Sequence, residues 1–187
     1  MTTTATVGQI TVPTGTYDLD PAHSSVSFST RHMMVSKVRG RFGTLSGYVT
    51  IAEDPSASSV EVSIDAASID TGVVDRDVHL RSPDFLDVET HPELTFTSKR
   101  VLDIDGTDFR LEGDLTAHGV SRPVILDATF EGTGKDPWGG ERIGFSATTE
   151  VNREDFGLTW NQVLETGGVL VGKAIKVEIE AEAVHRS

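Results

Sequence analysis

Apolar and polar residues alternate with a period of two along most of the chain. The alternation begins near Thr16 in short runs separated by turn residues, and it is clearest from Ile175 to Ala183. This period is typical of a β-strand with one buried face and one solvated face. About eight such runs follow one another without the long helices that parallel crossovers need. The pattern therefore predicts an antiparallel meander.

Residues 73–87 break the alternation. Their apolar spacing fits one face of a short helix, and Ser82 followed by Pro83 favours a second helical turn after it. A capped turn is also predicted at residues 152–156, with Asn152 as the cap. We therefore predict an all-β fold with short helical insertions around residues 73–87 and 152–156.

Closure of an eight-stranded sheet into a barrel would leave no exposed edges. The interior of such a barrel is either just filled by side chains or able to hold one small ligand. Several inward positions carry alanine or glycine, which leaves room, but the same alanines opposite phenylalanines would also fill a core. Residues 1–15 are threonine-rich and weakly patterned, so we predict a loose N-terminal arm or an added edge segment before a single barrel domain at residues 16–187.

Composition narrows the class of protein. The chain is 37% hydrophobic and 24% charged, and no apolar run approaches the roughly 20 residues needed to span a bilayer. No secretory signal is visible at the N-terminus, so a cytoplasmic location is expected. The absence of cysteine excludes disulfides and thiolate chemistry. A net charge of −13 argues against nucleic acid or an anionic membrane as the main partner.

One segment is positively charged, in contrast to the negative net charge of the chain. No acidic residue lies between Asp20 and Glu53, whereas several basic residues do. These residues form either an anion site or an ordinary solvated strand face. The basic candidates for a head-group site at the mouth of the barrel are Arg31, His32, Lys37, Arg39 and Arg41.

An enzymatic hypothesis rests on the histidines. His23, His79 and His118 could gather with Asp20 or Asp77 into a metal or acid/base site. However, no H-x-x-x-H spacing, G-x-S-x-G motif or glycine-rich phosphate loop is present. We therefore predict neither catalysis nor a bound metal. The other alternative is a ligand-free barrel that serves in interaction or scavenging.

Several ordered blocks of the sequence resemble the YceI family of lipocalin-like proteins, over nearly all of residues 16–184. The most specific blocks are Asp75-Arg76-Asp77 with His79-Leu80-Arg81-Ser82, Asp84-Phe85-Leu86, Pro92 with Thr95-Phe96-Thr97-Ser98, Gly113-Asp114-Leu115-Thr116, Gly119-Val120 with Arg122-Pro123-Val124, and Asp136-Pro137-Trp138-Gly139-Gly140.

The resemblance implies a lipocalin-like antiparallel eight-stranded barrel with a long apolar tunnel. Such a tunnel would hold a polyisoprenoid, an isoprenoid quinone or a related fatty amide or acid, for storage, transport or sequestration. No other cofactor is expected, and the resemblance also implies a homodimer. Many family members are secreted to the periplasm, whereas this sequence shows no signal peptide.

The strand alternation supplies specific residues for such a tunnel. A ten-residue strand reaches roughly 34 Å, long enough to line an extended apolar chain. His79, Arg81 and Phe85 would form a helical cover that gates one barrel end, or a structural plug in which Arg81 pairs with Asp84. The predicted lining residues are Val26, Phe28, Phe42, Val62, Ile64, Phe96, Leu111, Leu115, Phe130, Phe145, Trp160, Val177 and Ile179.

Overall fold

A computed structural model of the protein describes residues 3–186, and strands make up most of that range. Within it one α-helix, α1 (Val74–Arg81), interrupts the strands, and short 3₁₀ helices lie at Pro55–Ala57, Ala66–Ser68 and Arg153–Phe156. The strands in chain order are β1 (Thr4–Val7), β2 (Ile10–Pro13), β3 (Gly15–Leu19), β4 (Ser25–His32), β5 (Ser36–Phe42), β6 (Leu45–Ile51), β7 (Ser59–Asp65), β8 (Ile69–Asp70), β9 (Glu93–Asp105), β10 (Asp108–Ala117), β11 (Val120–Lys135), β12 (Glu141–Asn152) and β13 (Ala174–His185).

The longer strands form a closed barrel. β3 and β4 both pair with β13, so they are two halves of one bent strand. β6 pairs with β3 and β5 pairs with β4, so β5 and β6 are likewise two halves of the next strand. The third strand consists of β7 and the short β8. The remaining five strands are β9 to β13, and pairing of β12 with β13 closes the ring. The predicted antiparallel eight-stranded barrel is confirmed.

The meander gives the barrel two ends with different covers. One end, here called the helix end, carries the β4–β5 turn, the segment from β7 through α1 to β9, the β10–β11 turn and the segment between β12 and β13. The other, the hairpin end, carries the β9–β10 and β11–β12 turns and the start of β3. None of the helices in residues 3–186 has the length and apolar character that a membrane crossing requires.

The hairpin end is covered by β1 and β2, which pair with each other as a separate two-stranded sheet. Ala5 and Val12 are only 1% and 0% exposed. The predicted loose arm over residues 1–15 is therefore wrong for its described part, because the apolar side of this hairpin buries itself against the barrel; Met1 and Thr2 lie outside the described residues. The buried residues around the hairpin are Tyr17, Val49, Ile51, Phe130, Ile143 and Ala183.

Tyr17 anchors this cover from the barrel side. Its side chain is fully buried, and its hydroxyl donates a 2.8 Å hydrogen bond to the carbonyl of Pro13 at the end of β2. Burial, with a smaller contribution from the negative charge of Glu141, raises the pKa of Tyr17 to about 12. Both causes disfavour the phenolate, so the neutral phenol is the form that this packing stabilises.

A spectrophotometric titration should detect this buried phenol. The folded pKa lies above the ordinary value of about 10, so the contribution of Tyr17 to stability is full below pH ~10 and is lost as the pH rises to about 12. In a Tyr48→Phe variant, which removes the other tyrosine, the phenolate absorbance should rise with a midpoint near 12. Titration in denaturant should restore a midpoint of about 10. A folded midpoint near 10 would contradict the burial of this side chain.

The helix end is covered by α1 and the residues that follow it. The predicted helix is present, but Pro83 and its neighbours form hydrogen-bonded turns instead of a second helical turn. The amide of Leu86 donates to the carbonyl of Leu80, which turns the chain inward and buries both Phe85 and Leu86. The predicted capped turn at residues 152–156 is confirmed, since Asn152 Oδ1 accepts a 3.0 Å hydrogen bond from the amide of Glu154.

Arg81 fastens α1 to the barrel wall. Its guanidinium donates to the carbonyls of Ala67 and Ile69, at 2.8 and 2.7 Å. The local Arg81–Asp84 pair considered from the sequence does not form, because Asp84 instead contacts His79, with 2.8 Å between Oδ2 and Nε2. The cover is therefore tied to the strand connection behind it through neutral carbonyls.

Candidate functional site

The barrel encloses a cavity of about 470 Å³. Its walls come from the inward positions of the strands, and they extend from Ile51 and Val60 near the hairpin end to His79 and Trp160 at the helix end. The wall is overwhelmingly apolar. Ligand pockets in proteins commonly measure about 300–1,000 Å³, so this interior is large enough for a ligand.

The structure brings together all the predicted lining residues except one. Phe130 does not line the cavity; it is 2% exposed and packs in the core beneath the hairpin, next to Phe145. Its strand, β11, runs past the cavity into that core, so its last inward aromatic meets the hairpin cover. The predicted residues that do line the cavity are Val26, Phe28, Phe42, Val62, Ile64, Phe96, Leu111, Leu115, Phe145, Trp160, Val177 and Ile179.

Other wall residues were not among the predicted ones. Many of them lie an even number of positions from a predicted residue on the same strand, so they face the same side. The alternation of inward and outward positions along each strand was therefore the signal that could have found them. Ala117, Ala128 and Ala147 also line the cavity, and these small side chains widen it. The unpredicted apolar wall residues include Val38, Val60, Leu94, Phe109, Val124, Leu126 and Ile175.

An aromatic cluster stands at the helix end of the cavity. The rings of His79 and Trp160 meet edge to face with centroids 4.7 Å apart, and Phe85 lies 5.0 Å from His79 and 5.2 Å from Trp160. All three residues line the cavity, whereas Arg81, the third predicted cover residue, does not. Asp84, bonded to His79, fixes the orientation of the imidazole within this cluster.

The five predicted head-group residues do not form one site. Arg31 and His32 border the cavity at the end of β4. Lys37, Arg39 and Arg41 are exposed on β5, where they alternate with wall residues and face away from the cavity. This orientation follows from the pleat, since residues at odd and even positions of a strand point to opposite faces.

Two other arginines supply positive charge beside the cavity. Arg76 donates from Nε to Thr71 Oγ1 at 2.8 Å and from Nη2 to the Thr71 carbonyl at 3.1 Å. Arg153 is 4% exposed and donates to the carbonyls of Leu158 and Gly172, at 2.5 and 2.9 Å. Burial lowers the pKa of Arg153. Within residues 3–186 neither guanidinium has a carboxylate partner at ion-pair distance, although the negative charge of nearby Glu154 partly offsets the effect of burial on the pKa of Arg153.

The histidines of the enzymatic hypothesis do not gather. His23 contacts Asp20, which also accepts a 2.8 Å hydrogen bond from Arg142. The hydrogen bond from Arg142, and then that from His23, lower the pKa of Asp20 to about 2. His79 belongs to the aromatic cluster, and His118 lies in the β10–β11 turn. The combination of these residues that the enzymatic hypothesis required is therefore not formed.

Asp77, the other acid of that hypothesis, is also occupied elsewhere. It is 7% exposed, and its Oδ1 accepts hydrogen bonds from the amide and the hydroxyl of Thr71, at 2.9 and 2.6 Å. Because Arg76 binds the same threonine, the two side chains together hold the start of α1 against β8. Asp77 thus has a structural role at the base of the cover.

Comparison with known proteins supports this architecture. The family model described as the YceI-like domain matches residues 17–183. A UPF0312 protein of Vibrio parahaemolyticus is 43% identical over 140 residues, which cover 74% of each chain. The Campylobacter jejuni YCEI protein superposes with a TM-score of 0.71 at 33% identity, over 84% of this chain and 90% of that one.

A more distant solved structure has the same fold. A polyisoprenoid binding domain from Saccharophagus degradans, implicated in plant cell wall breakdown, superposes with a TM-score of 0.69 at 18% identity. The match covers 91% of this chain and 98% of that domain. The family model spans the barrel from β3 to β13, the Vibrio parahaemolyticus protein is similar to the chain in sequence, and the two solved structures share its fold. The chain therefore belongs to the YceI family.

Proposed function

We propose that the barrel binds one amphiphilic lipid with a long apolar chain, such as a polyisoprenoid or an isoprenoid quinone, for storage, transport or sequestration. The observation that carries this proposal is the apolar cavity of about 470 Å³ inside a closed barrel. A cavity with an apolar wall selects the length and shape of its ligand more than its chemistry. The polyisoprenoid binding domain of Saccharophagus degradans, which has the same fold, supports the choice of ligand class.

The dimensions of the wall suit an extended chain. On β10 the lining residues run from Phe109 to Ala117, which corresponds to roughly 27 Å along the strand. Because barrel strands tilt by about 35–45°, this span is about 20 Å along the barrel axis. Binding would remove apolar surface of both the ligand and the cavity wall from water. This burial stabilises the complex by about 25 cal/mol per Å².

The charges at the helix end orient the ligand. Arg76 and Arg153 line the cavity there, and their hydrogen-bond partners are a hydroxyl and neutral carbonyls. A guanidinium with neutral partners attracts an anionic or strongly dipolar group, since guanidinium donors match phosphate and carboxylate oxygens. The polar head of the lipid would lie at the helix end, and its chain would point towards the hairpin.

Two steps test the proposal. Organic extraction of purified protein, followed by mass spectrometry, should recover a long-chain amphiphile in stoichiometric amount. The delipidated protein should then bind a polyprenyl phosphate more tightly than a polyprenol of the same chain length. Failure to take up either compound, although the delipidated barrel remains folded, would contradict the carrier function.

The head-group assignment has its own matched pair of variants. Arg76→Gln should reduce the preference for the phosphate, because it neutralises one of the two guanidinium charges assigned to the head group. Arg39→Gln should keep the preference, because Arg39 is exposed on the outer face of β5. Equal effects of the two substitutions would reject the proposed orientation while leaving binding of the chain intact.

A further inference from the structure

Three potential metal ligands meet at the helix end, outside the lining of the cavity. Asp87 and His91 belong to the segment that follows α1, and His118 lies in the β10–β11 turn. One ligand atom from each side chain lies within 4.8 Å of the other two. The imidazole rings of His91 and His118 approach to 4.9 Å between centroids. We propose that Asp87, His91 and His118 bind a Zn²⁺ ion.

The surroundings of His118 prepare it for this role. Its Nδ1 lies 3.2 Å from the carbonyl oxygen of Phe156. A carbonyl can only accept, so Nδ1 carries the proton and donates it, and Nε2 keeps its lone pair for a metal. A backbone carbonyl bonded to the second ring nitrogen is a usual partner of metal-binding histidine.

Local backbone structure brings the ligands together. Asp87 and His118 both have left-handed conformations, with φ of +48° and +51°. The amide of His91 donates to the carbonyl of Asp87 at 2.8 Å, so these two residues occupy a single turn. Gly119 lets the rings approach, since a Cβ at that position would lie 2.6 Å from Cε1 of His91.

A second group of carboxylate and histidine side chains differs from the proposed zinc site. Asp20, His23 and Glu182 also place potential ligands close together, but Arg142 already binds both carboxylates there, at 2.8 and 2.5 Å. The Arg142 guanidinium thus takes the place that a metal ion would occupy, and the group is an ion-pair network. In the described part of the chain, no arginine or lysine forms such an ion pair with Asp87.

The donor set selects the metal. Two imidazole nitrogens and one carboxylate oxygen suit Zn²⁺, which commonly takes three protein ligands and leaves a fourth position for water. The ion would connect the segment after α1 to the β10–β11 turn. These two parts of the helix end are far apart along the chain. This binding is independent of the lipid and would hold the cover in place with or without one.

Calorimetric titration of the metal-stripped protein with ZnCl₂ should show one ion bound per chain. His91→Ala and His118→Ala should each weaken binding by about tenfold or more. Asp87→Asn should do the same while preserving the fold, because asparagine tolerates the left-handed backbone. Co²⁺ should produce a visible absorption band that Zn²⁺ displaces and that the three variants lack.

His23→Ala is the matched control, since it removes a histidine from the ion-pair network and should leave Zn²⁺ affinity unchanged. The site is rejected if the wild-type protein gives neither binding heat nor a cobalt band. It is also rejected if Asp87→Asn, shown by circular dichroism to be folded, binds Zn²⁺ as tightly as the wild type. Equal losses in His23→Ala would likewise reject it.

Discussion

Replacing Ala147 with tryptophan is expected to block uptake of long-chain lipid. Ala147 lies on β12 between Ala128 of β11 and Ile179 of β13, and all three residues line the cavity. An indole at this position would occupy the space that the chain needs. Loss of ~60 Å² of apolar contact, at about 25 cal/mol per Å², already corresponds to a roughly tenfold weaker affinity. Fluorescence or mass-spectrometric measurement of uptake would record the loss.

Thr148→Trp provides the control for this substitution. Thr148 is the next residue of β12, and its side chain is exposed on the outer face of the barrel. The same indole at this position should leave lipid uptake unchanged. Near-normal melting of the Ala147→Trp variant would show that the ring has entered free space instead of disrupting the core. Normal uptake by that folded variant would place the ligand outside the barrel.

Arg153→Ala is expected to give the largest loss of stability among the substitutions considered. The buried guanidinium donates to the carbonyls of Leu158 and Gly172, and so fixes both ends of the irregular segment between β12 and β13. Hydrogen bonds from a charged donor contribute about 1.5–3 kcal/mol each, so the free energy of unfolding should fall by about 3 kcal/mol or more. A domain of this size should then melt roughly 6–12 °C lower.

Two further variants separate the causes of this effect. Arg153→Lys keeps a charge but loses the planar fork that serves several carbonyls at once, so an intermediate loss is expected. Arg122→Ala, at an exposed position where the guanidinium forms within residues 3–186 a single hydrogen bond, to the carbonyl of Ser121, should change stability by no more than ~0.5 kcal/mol. Denaturant unfolding measures all three. Similar stability of the Arg153→Ala and Arg122→Ala variants would refute the anchoring role.

Much of the barrel could be predicted because each strand has one buried face and one solvated face. In β12 and β13 the alternation extends over the whole strand, and the turns between strands carry their own residue signals. The hairpin was missed because its pattern is only four residues long on each side. Ala5 and Val12 do alternate with polar neighbours around Gly8, but the surface that buries them belongs to the distant end of the barrel.

The candidate site was only partly predictable for a related reason. Strand parity identifies wall residues such as Phe28, and it also places Arg39 on the outer face, although charge alone suggested a site there. This alternation along the strands does not specify which loops meet at a barrel end. The sequence separates His91 from His118 by the whole of β9 and β10, so their contact depends on the closed barrel. No local spacing signals such a contact.

The hairpin cover has a consequence for lipid exchange. Under the proposed function, a ligand would arrive and depart through the helix end, past the cover formed by α1, because Ala5 and Val12 are packed into the hairpin end. A donor and an acceptor would then compete for the same docking face, and they could not engage the protein at the same time. Transfer through this barrel would follow a ping-pong order, in which the loaded protein leaves the donor before it meets the acceptor.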